Sequence, residues 1–227
     1  MSDGIEVYPV VEPTGDKIYR ITEAIASLVP AGQPILHSLI APPIQKRTEL
    51  WIADTEARLL ALEQGGEVDI AALLNNEVFD ALVLKCIQAV ATTSQAEKLE
   101  YLKTFVTSLA KMPDIQEDET YILFGILSEF TPSHVMALKF YCQPEEYANQ
   151  IALLSSAAPK ASQAQGGELA QIFGGDPEYW QSIFSTASGK FVLSVLTTPV
   201  QCNATIRKTI SGRGTKLGLK LLSLISS

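Results

Sequence analysis

Residues 76–110 have the sequence NEVFDALVLKCIQAVATTSQAEKLEYLKTFVTSLA, in which apolar side chains recur every three or four positions. This is the period of an α-helix that buries one face. The stretch predicts two helices, and the first of them begins at Asn75 or Asn76. Ser94 and Glu97 match a capping box at the start of the second. Two helices joined by so short a connection pack side by side, which favours a helical bundle.

A helix is also predicted before this pair, over residues 43–64. Proline is tolerated in a first helical turn, so Pro42-Pro43 fits its start, and Gly65-Gly66 fits its end. The predicted core face of this helix consists of four residues at helical spacing, Ile52, Thr55, Leu59 and Leu62.

Further helices are predicted after the pair. Acidic residues at 117–119 favour a helix start, because negative charge interacts well with the free N–H groups there. The predicted inward residues of that helix are Ile122, Leu123, Ile126, Leu127 and Phe130. Thr131-Pro132 then combines an N-cap with a first-turn proline. Short connections predict antiparallel neighbours. We therefore expect a mainly α protein with an antiparallel helical bundle over residues 43–156, preceded by an irregular, apolar N-terminal arm over 1–42.

A linker and a second unit are predicted after the bundle. Residues 157–167 are small and polar, which is typical of a linker. Residues 168–227 combine short helices, one of which opens at Asp176-Pro177, with a last helix capped by Thr215. The two predicted strands of this unit cover residues 191–197 and 203–210. This order of elements predicts a small, basic, winged-helix-like α+β module.

Charge is divided unevenly along the chain. Residues 180–227 hold six basic residues and no acidic one, residues 1–179 have a net charge of −14, and the whole chain has −8. The six cations are Lys190, Arg207, Lys208, Arg213, Lys216 and Lys220. They are candidate contact residues for an acidic protein surface or for nucleic-acid phosphates. The predicted recognition helix, from Pro177 to Ala187, has no Lys or Arg, which disfavours sequence-specific reading of bases.

Residue types that carry catalysis or bind metals are sparse. The chain has three cysteines and two histidines and no CxxC motif, so a Cys/His zinc site lacks ligands. His134 follows Thr131 by three residues, and we interpret it as bonding its own helical turn. Cys86 and Cys142 fall on apolar stripes and are interpreted as small buried hydrophobes. We therefore predict no catalytic residue, metal or cofactor, and reduced thiols favour a cytoplasmic protein.

Glycines at positions 212, 214 and 218 follow the second predicted strand and open the last helix. That is the setting of a phosphate-binding loop, but such a loop needs Gly-Lys-Ser/Thr, and here Lys216 follows Thr215. The favoured interpretation is a tight turn in which the glycines supply positive φ.

Three motifs together resemble a family of uncharacterised bacterial proteins. They are Lys98-x3-Leu102-x3-Val106, Phe130-Thr131-Pro132-x-His134 and Thr215-x-Leu217-Gly218-x3-Leu222. The resemblance covers most of residues 40–227. It implies a helical bundle with a C-terminal winged-helix-like segment, and it implies no activity.

The expected function is that of a non-enzymatic adaptor or regulatory protein that acts through protein–protein contacts, with a protein partner or with a second copy of itself. The first alternative is a nucleic-acid-binding regulator that uses the basic C-terminal module. The second is a membrane-acting effector that uses the apolar residues 21–44. This membrane contact is disfavoured because interfacial helices carry Lys or Arg opposite their apolar face. Residues 21–45 contain neither Lys nor Arg.

Overall fold

The computed structural model describes residues 34–112, 116–147, 149, 167–194 and 214–226. Within these ranges the protein is mainly helical, as predicted, and contains no β-strand. The elements in chain order are α1 (Pro34–Gln64), α2 (Ile70–Leu73), α3 (Glu77–Thr92), α4 (Ala96–Ala110), α5 (Glu117–Glu129), α6 (Pro132–Cys142), a 3₁₀ turn (Pro144–Tyr147), α7 (Gly167–Phe173), α8 (Pro177–Gly189) and α9 (Lys216–Ile225).

Helix α4 lies at the centre of the bundle. Every residue from Leu102 to Val106 is buried, which requires neighbours on all sides of the helix. The helix packs against α1, α3 and α9, and Phe105 contacts Phe124 of α5 with ring centroids 6.2 Å apart. The two helices predicted within 76–110 therefore form the middle of the fold.

Side-chain caps set several helix boundaries. Asn76 Oδ1 accepts a hydrogen bond from the Phe79 N–H at 3.0 Å, so α3 starts at the second of the two predicted positions. Thr131 is the N-cap of α6, with a proline in the first turn, as predicted. The predicted capping box of α4 does not form. Its N-cap is Gln95, which makes no side-chain cap bond, so Ser94 lies one position too early for the motif.

Helix α1 is longer than predicted. It begins at Pro34 and continues through Pro42 and Pro43, so residues 34–42 are helical and not part of an irregular arm. A proline inside a helix removes a backbone donor but keeps a helical φ, so the preference for first-turn prolines misplaced this boundary. The predicted end is confirmed, because the helix stops at Gln64 and Gly66 has a φ of 74°.

The buried face of helix α5 differs from the prediction at one position. Leu123, Ile126 and Leu127 are buried, as expected, whereas Ile122 is 56% exposed. The prediction therefore assigned one residue too many to the face of α5 that packs in the core.

An aromatic cluster joins α6 to the helices that follow it. Its members are Phe140, Tyr141, Tyr147, Phe173, Tyr179, Trp180 and Phe184. The polar atoms of the most buried rings have partners. Tyr141 Oη donates to Glu168 Oε1 at 2.8 Å, and Trp180 Nε1 donates to the Gly174 carbonyl at 2.7 Å. The cluster therefore packs α7 and α8 onto α6 without leaving these polar groups unpaired.

The C-terminal helices share one core with the bundle. Helix α9 packs against α4, α5 and α6, and α8 packs against α6 and α7. Buried side chains form one hydrophobic cluster that extends from Trp51 to Ile225. Of the predicted linker, only Gly167 is among the described residues. The predicted division between a bundle over 43–156 and a module over 168–227 thus does not correspond to a break in the core.

The two predicted strands of the C-terminal part lie mostly outside the described residues. Leu193, at the end of the turn that follows α8, makes an isolated antiparallel bridge with Gly214. Residues 195–197 and 203–210 are not described, so the described ranges contain this single bridge and no sheet. The α+β character of the winged-helix-like module is therefore not part of the described fold.

Gly214 and Gly218 are required by close packing. A Cβ at Gly218 would lie 2.4 Å from the Val192 carbonyl oxygen, and one at Gly214 would lie 2.9 Å from Cys142 Sγ. Neither glycine has a positive φ, so the prediction that they supply positive φ is wrong for both, and Gly212 lies outside the described residues. These glycines let α9 and the residue before its cap approach the neighbouring backbone and side chains.

Candidate functional site

Three of the six predicted contact cations belong to the described residues. Lys190 Nζ donates to Glu129 at 2.7 Å, and Lys220 Nζ donates to Glu119. Both acceptors are on α5, so these two cations help to hold the C-terminal part against the acidic bundle. Lys216 is exposed. The remaining three cations, Arg207, Lys208 and Arg213, lie outside the described residues.

The outer face of α8, the predicted recognition helix, carries no cation. The Tyr179 hydroxyl donates to Ser133 Oγ at 2.8 Å, so this ring is tied to the start of α6. A shallow cavity of about 500 Å³ runs along the helix, lined by Glu178, Gln181, Ser182, Phe184, Ser185 and Thr186. A phosphate backbone binds through Lys and Arg, so this lining does not favour nucleic acid.

His134 belongs to the start of α6, as predicted. Its Nδ1 accepts a hydrogen bond from the Thr131 N–H at 3.1 Å, and its ring stacks on Phe130 with centroids 4.8 Å apart. Burial lowers the pKa of His134, and the positive charge of Lys98 lowers it further. The side chain is thereby held as a neutral structural group.

The two described cysteines are free thiols. Cys86 is fully buried, which confirms its interpretation as a small core residue, whereas Cys142 is half-buried. Burial raises the pKa of Cys86, and it raises the pKa of Cys142 to about 11. Both thiols therefore stay protonated at neutral pH. In the part of the chain that the structure describes, no three His, Cys, Asp or Glu side chains are grouped so that they could hold a metal ion.

Helix α1 carries apolar residues on two opposite faces. The inner face packs on α3 and α4 and includes the buried Trp51. The outer face carries four exposed residues, which we call the outer stripe: Leu50, Ala53, Ala57 and Leu60. Their spacing of three, four and three positions is that of the a and d positions of a heptad. Leu50 is 61% exposed and Leu60 is 44% exposed.

A groove of about 680 Å³ borders the outer stripe on the side of α4. Its lining consists of Pro43, Lys46, Arg47, Leu50, Trp51, Asp54, Ala96, Leu99, Glu100 and Lys103. Trp51 Nε1 donates to the Leu99 carbonyl at 2.9 Å, which fixes the indole between the two helices. Leu50 belongs to both the stripe and the groove, so they form one continuous surface. We call the outer stripe and this groove together the α1 surface.

Charged side chains beside the groove are paired with each other. The buried Lys103 donates to Asp54 and, at 3.1 Å, to Glu100, and Arg58 binds Glu100 at 2.6 Å. The hydrogen bond from Lys103 is the largest effect on Asp54 and lowers its pKa. Burial raises the pKa of Glu100, but the hydrogen bonds from Arg58 and Lys103 outweigh it and the pKa is lowered overall. These two cations and two carboxylates balance one another, whereas Lys46 and Arg47, which also line the groove, add two positive charges to this side of the α1 surface.

Arg47 ties the same side of α1 to the end of α3. Its guanidinium donates to the Val90 carbonyl at 3.1 Å and to the Ala91 carbonyl at 2.8 Å. These carbonyls lie in the last turn of α3, where the helix dipole favours a cation. The Arg47 guanidinium is therefore already hydrogen-bonded within the protein.

The opposite flank of the outer stripe is acidic. Glu49, Glu56 and Glu63 follow each other at intervals of seven residues and are all exposed. Glu49 accepts a hydrogen bond from Gln45 at 2.9 Å. Among the described residues, none of the three glutamates forms an ion pair. We call these three residues the acidic row.

The outer stripe is not among the residues predicted from the sequence, although its signal is present there. The predicted core face of α1, with Ile52, Thr55 and Leu59, lies on the side of the helix opposite Leu50 and Leu60. A second apolar stripe on one helix indicates a second contact surface, and it is recognisable only when exposed as well as buried positions are followed along the helix.

The chain matches no protein-family model, no curated protein and no solved structure. The resemblance to a bacterial family stays a prediction. Within the described ranges, no single helix is long and apolar enough to cross a membrane. Helices α5 and α6 satisfy those two criteria only as a pair, and they are bent by 120° where they meet. Residues 21–33 of the predicted membrane-contact segment lie outside the described residues.

Proposed function

We propose that the protein is a non-enzymatic adaptor or regulatory protein, and that a protein partner binds its α1 surface. The observation that carries this proposal is the outer stripe, with two large leucines exposed on a helix whose other face is in the core. Isolated exposed leucines are ordinary on protein surfaces, but leucines aligned along one helix face beside a groove are typical of helix-binding surfaces.

The attachment of α1 to the rest of the fold supports the same proposal. Trp51, Arg47 and the Lys103–Asp54 pair hold the helix against α3 and α4 along the groove that borders the stripe. A binding face that is already ordered loses little conformational entropy when a partner arrives. The outer stripe is thus a preorganised surface.

The basic C-terminal part supports the proposal less than the α1 surface does. Lys190 and Lys220 already contact α5, so their charges are partly used inside the molecule. The winged-helix-like arrangement of residues 168–227 and a cytoplasmic location remain proposals. The bridge between Leu193 and Gly214 supports the former, because a hairpin needs an antiparallel contact of this kind at its base.

A quantitative pull-down tests whether the α1 surface binds a protein. Full-length wild type and the double variant Leu50→Gln/Leu60→Gln are immobilised and exposed to an extract of the source cells. Glutamine keeps a good helix propensity while it removes the apolar contact. We expect one or more proteins to bind the wild type and to be lost from the double variant.

The matched control is Leu84→Gln, which replaces a leucine that is 40% exposed on α3. It must retain the proteins that the double variant loses. If the double variant captures the same proteins as the wild type, the α1 surface is not the binding site and the proposal is wrong.

A further inference from the structure

We infer that the partner segment bound at the α1 surface is a basic amphipathic helix, an inference that rests on the proposed function. The outer stripe has the heptad pattern of a helix–helix contact, with Leu50 and Ala57 at a and Ala53 and Leu60 at d. A helix that lies along α1 is the partner structure that such a pattern accommodates.

The size of the stripe agrees with a partner helix. From Leu50 to Leu60 the stripe covers about 15 Å, or roughly three helical turns, at the usual rise per residue. The two alanines between the leucines permit close approach, and the leucines provide apolar contacts at both ends. The adjoining groove offers space for a larger apolar side chain of the partner beside Leu50.

The charge of the flanks decides which kind of helix fits. In the same heptad numbering, Glu49, Glu56 and Glu63 occupy the three successive g positions. Residues at g face the flanking residues of the partner helix and set its choice and orientation. Three exposed glutamates that form no ion pair with any described residue favour Lys or Arg there. On the other flank, Asp54 is already paired with Lys103, and Arg47 donates to carbonyls of α3, so these two side chains demand no charge from the partner. Lys46, which is exposed beside the groove, lies before the stripe and, among the described residues, forms no ion pair with the acidic row.

A second copy of this chain is a poor occupant of the same surface. In an antiparallel pair of α1 helices the g positions face each other, so the acidic rows would meet. In a parallel pair the g positions face the e positions, and Glu49 would meet Asp54, which is already paired with Lys103 and offers Glu49 no cation. The antiparallel pair brings like charges together, which disfavours binding, and the parallel pair leaves the acidic row without a cationic partner.

A membrane is likewise a poor occupant. Helices that lie on membranes carry cations beside their apolar face, because those cations interact with anionic lipid headgroups. The acidic row would be repelled by such headgroups. The combination of apolar stripe and acidic flank therefore points to a cationic protein helix.

A pair of designed peptides tests the inference on the full-length protein. Both peptides are 21-residue helices with Leu at a and d, and they carry either Lys or Glu at e and g. Fluorescence anisotropy measures the binding of each labelled peptide. We expect the Lys peptide to bind about tenfold more tightly at low salt, with the preference shrinking as salt rises.

A charge-swap variant separates local recognition from general attraction to an acidic protein. The triple variant Glu49→Lys/Glu56→Lys/Glu63→Lys should prefer the Glu peptide. The control Glu77→Lys/Glu117→Lys/Glu178→Lys changes the net charge equally at exposed positions away from α1 and should keep the Lys preference. Circular dichroism verifies that both variants remain helical.

Four results would overturn the inference. The first is equal binding of the two peptides to the wild type, and the second is an equal change of preference in both triple variants. The third is a dimer in equilibrium sedimentation that Leu50→Gln/Leu60→Gln abolishes, since the occupant is then a second copy. The fourth is that neither peptide binds, and if the pull-down still depends on Leu50 and Leu60, the basic-helix inference fails while the proposed protein contact stands.

Discussion

Helices α9 and α1 use their apolar residues in opposite ways. Helix α9 has ten residues, and Gly218, Leu221, Leu222, Leu224 and Ile225 among them are buried against α4, α5 and α6. Helix α1 has 31 residues, packs on α3 and α4 with one face, and leaves Leu50 and Leu60 exposed on the other. The short terminal helix completes the core, whereas the long first helix carries apolar surface that the described fold does not cover.

The difference shows that charge along the sequence is a poor guide to which part of this protein is available to a partner. The basic C-terminal part is distinct in composition, yet its described helices lie in the common core and two of its lysines contact α5. The acidic part holds the exposed stripe. Whether a helix can bind a partner depends on which of its faces is already packed in the core. The net charge of a segment gives no information about this packing.

The largest expected effect is on a buried leucine of α9. Leu221 is fully buried, so Leu221→Ala leaves a cavity and should lower the free energy of unfolding by about 3 kcal/mol. Leu60→Ala on the outer stripe should change it by less than about 0.5 kcal/mol. Urea denaturation followed by circular dichroism measures both values.

The shape of the Leu221→Ala transition also tests whether the core is shared. A single transition displaced as a whole is expected if α9 belongs to the bundle core. A variant in which the bundle unfolds at the wild-type midpoint while a smaller part is lost earlier would contradict the shared core.

A similar contrast is expected between two helical glycines. Gly218→Ala places a Cβ against the Val192 carbonyl and Leu138, so the backbone must shift, and the free energy of unfolding should fall by about 2 kcal/mol. Gly125→Ala on α5 is the matched control, since nothing lies within 4 Å of its Cβ position. This control should be neutral or stabilising by up to about 1 kcal/mol, because alanine is the better helix former.

Differential scanning calorimetry compares the two glycine variants directly. If Gly218→Ala unfolds at the wild-type temperature, the close approach of α9 to Val192 is not required for stability. The explanation of this glycine by close packing would then be wrong.

The sequence was informative where local periodicity and caps decide the structure. The helices around residues 76–110, the caps at Asn76 and Thr131 and the helix end at Gly65-Gly66 follow from such local signals, and the structure confirms them. His134 was also interpreted correctly, because its bond to Thr131 is contained within one helical turn.

The remaining features depend on contacts between residues far apart in the chain. Gly218 appears in the sequence as a turn glycine, and only its approach to Val192 reveals the packing role. The pairing of Lys220 with Glu119 joins residues a hundred positions apart, which no local pattern predicts. Ile122 has the spacing of a core residue, and its exposure follows from where the neighbouring helices lie.

A smaller effect is expected at the contact that holds α1 against α4. Lys103→Met keeps the volume of the buried side chain but removes the donor to Asp54 and Glu100, so we expect a loss of about 1 kcal/mol at pH 7. The lowered pKa values of both carboxyls mean that this stabilisation is present above about pH 4 and is lost as the pH falls through the folded pKa values.

Urea denaturation of the wild type and Lys103→Met at pH 7 and pH 3 measures this contribution. The two proteins should differ more at pH 7 than at pH 3. Lys46→Met removes the same charge from an exposed position of α1 and is the control. An equal difference from the wild type at both pH values would show that the Lys103 contribution is not electrostatic.

The smallest expected effect concerns His134, at the start of the helix on which α9 packs. Its pKa is lowered by burial and by Lys98, so the unfolded chain binds a proton more readily than the folded protein does. Stability from the neutral imidazole is therefore complete above the unfolded pKa of about 6.5 and falls as the pH drops below it.

His134→Gln keeps a side chain that can accept from the Thr131 N–H but cannot titrate. Unfolding free energies between pH 7.5 and 5 should decline less steeply for this variant than for the wild type. If the unfolding free energies of the two proteins decline equally with pH, protonation of His134 is not linked to folding. The conclusion that burial lowers the pKa of His134 would then be wrong.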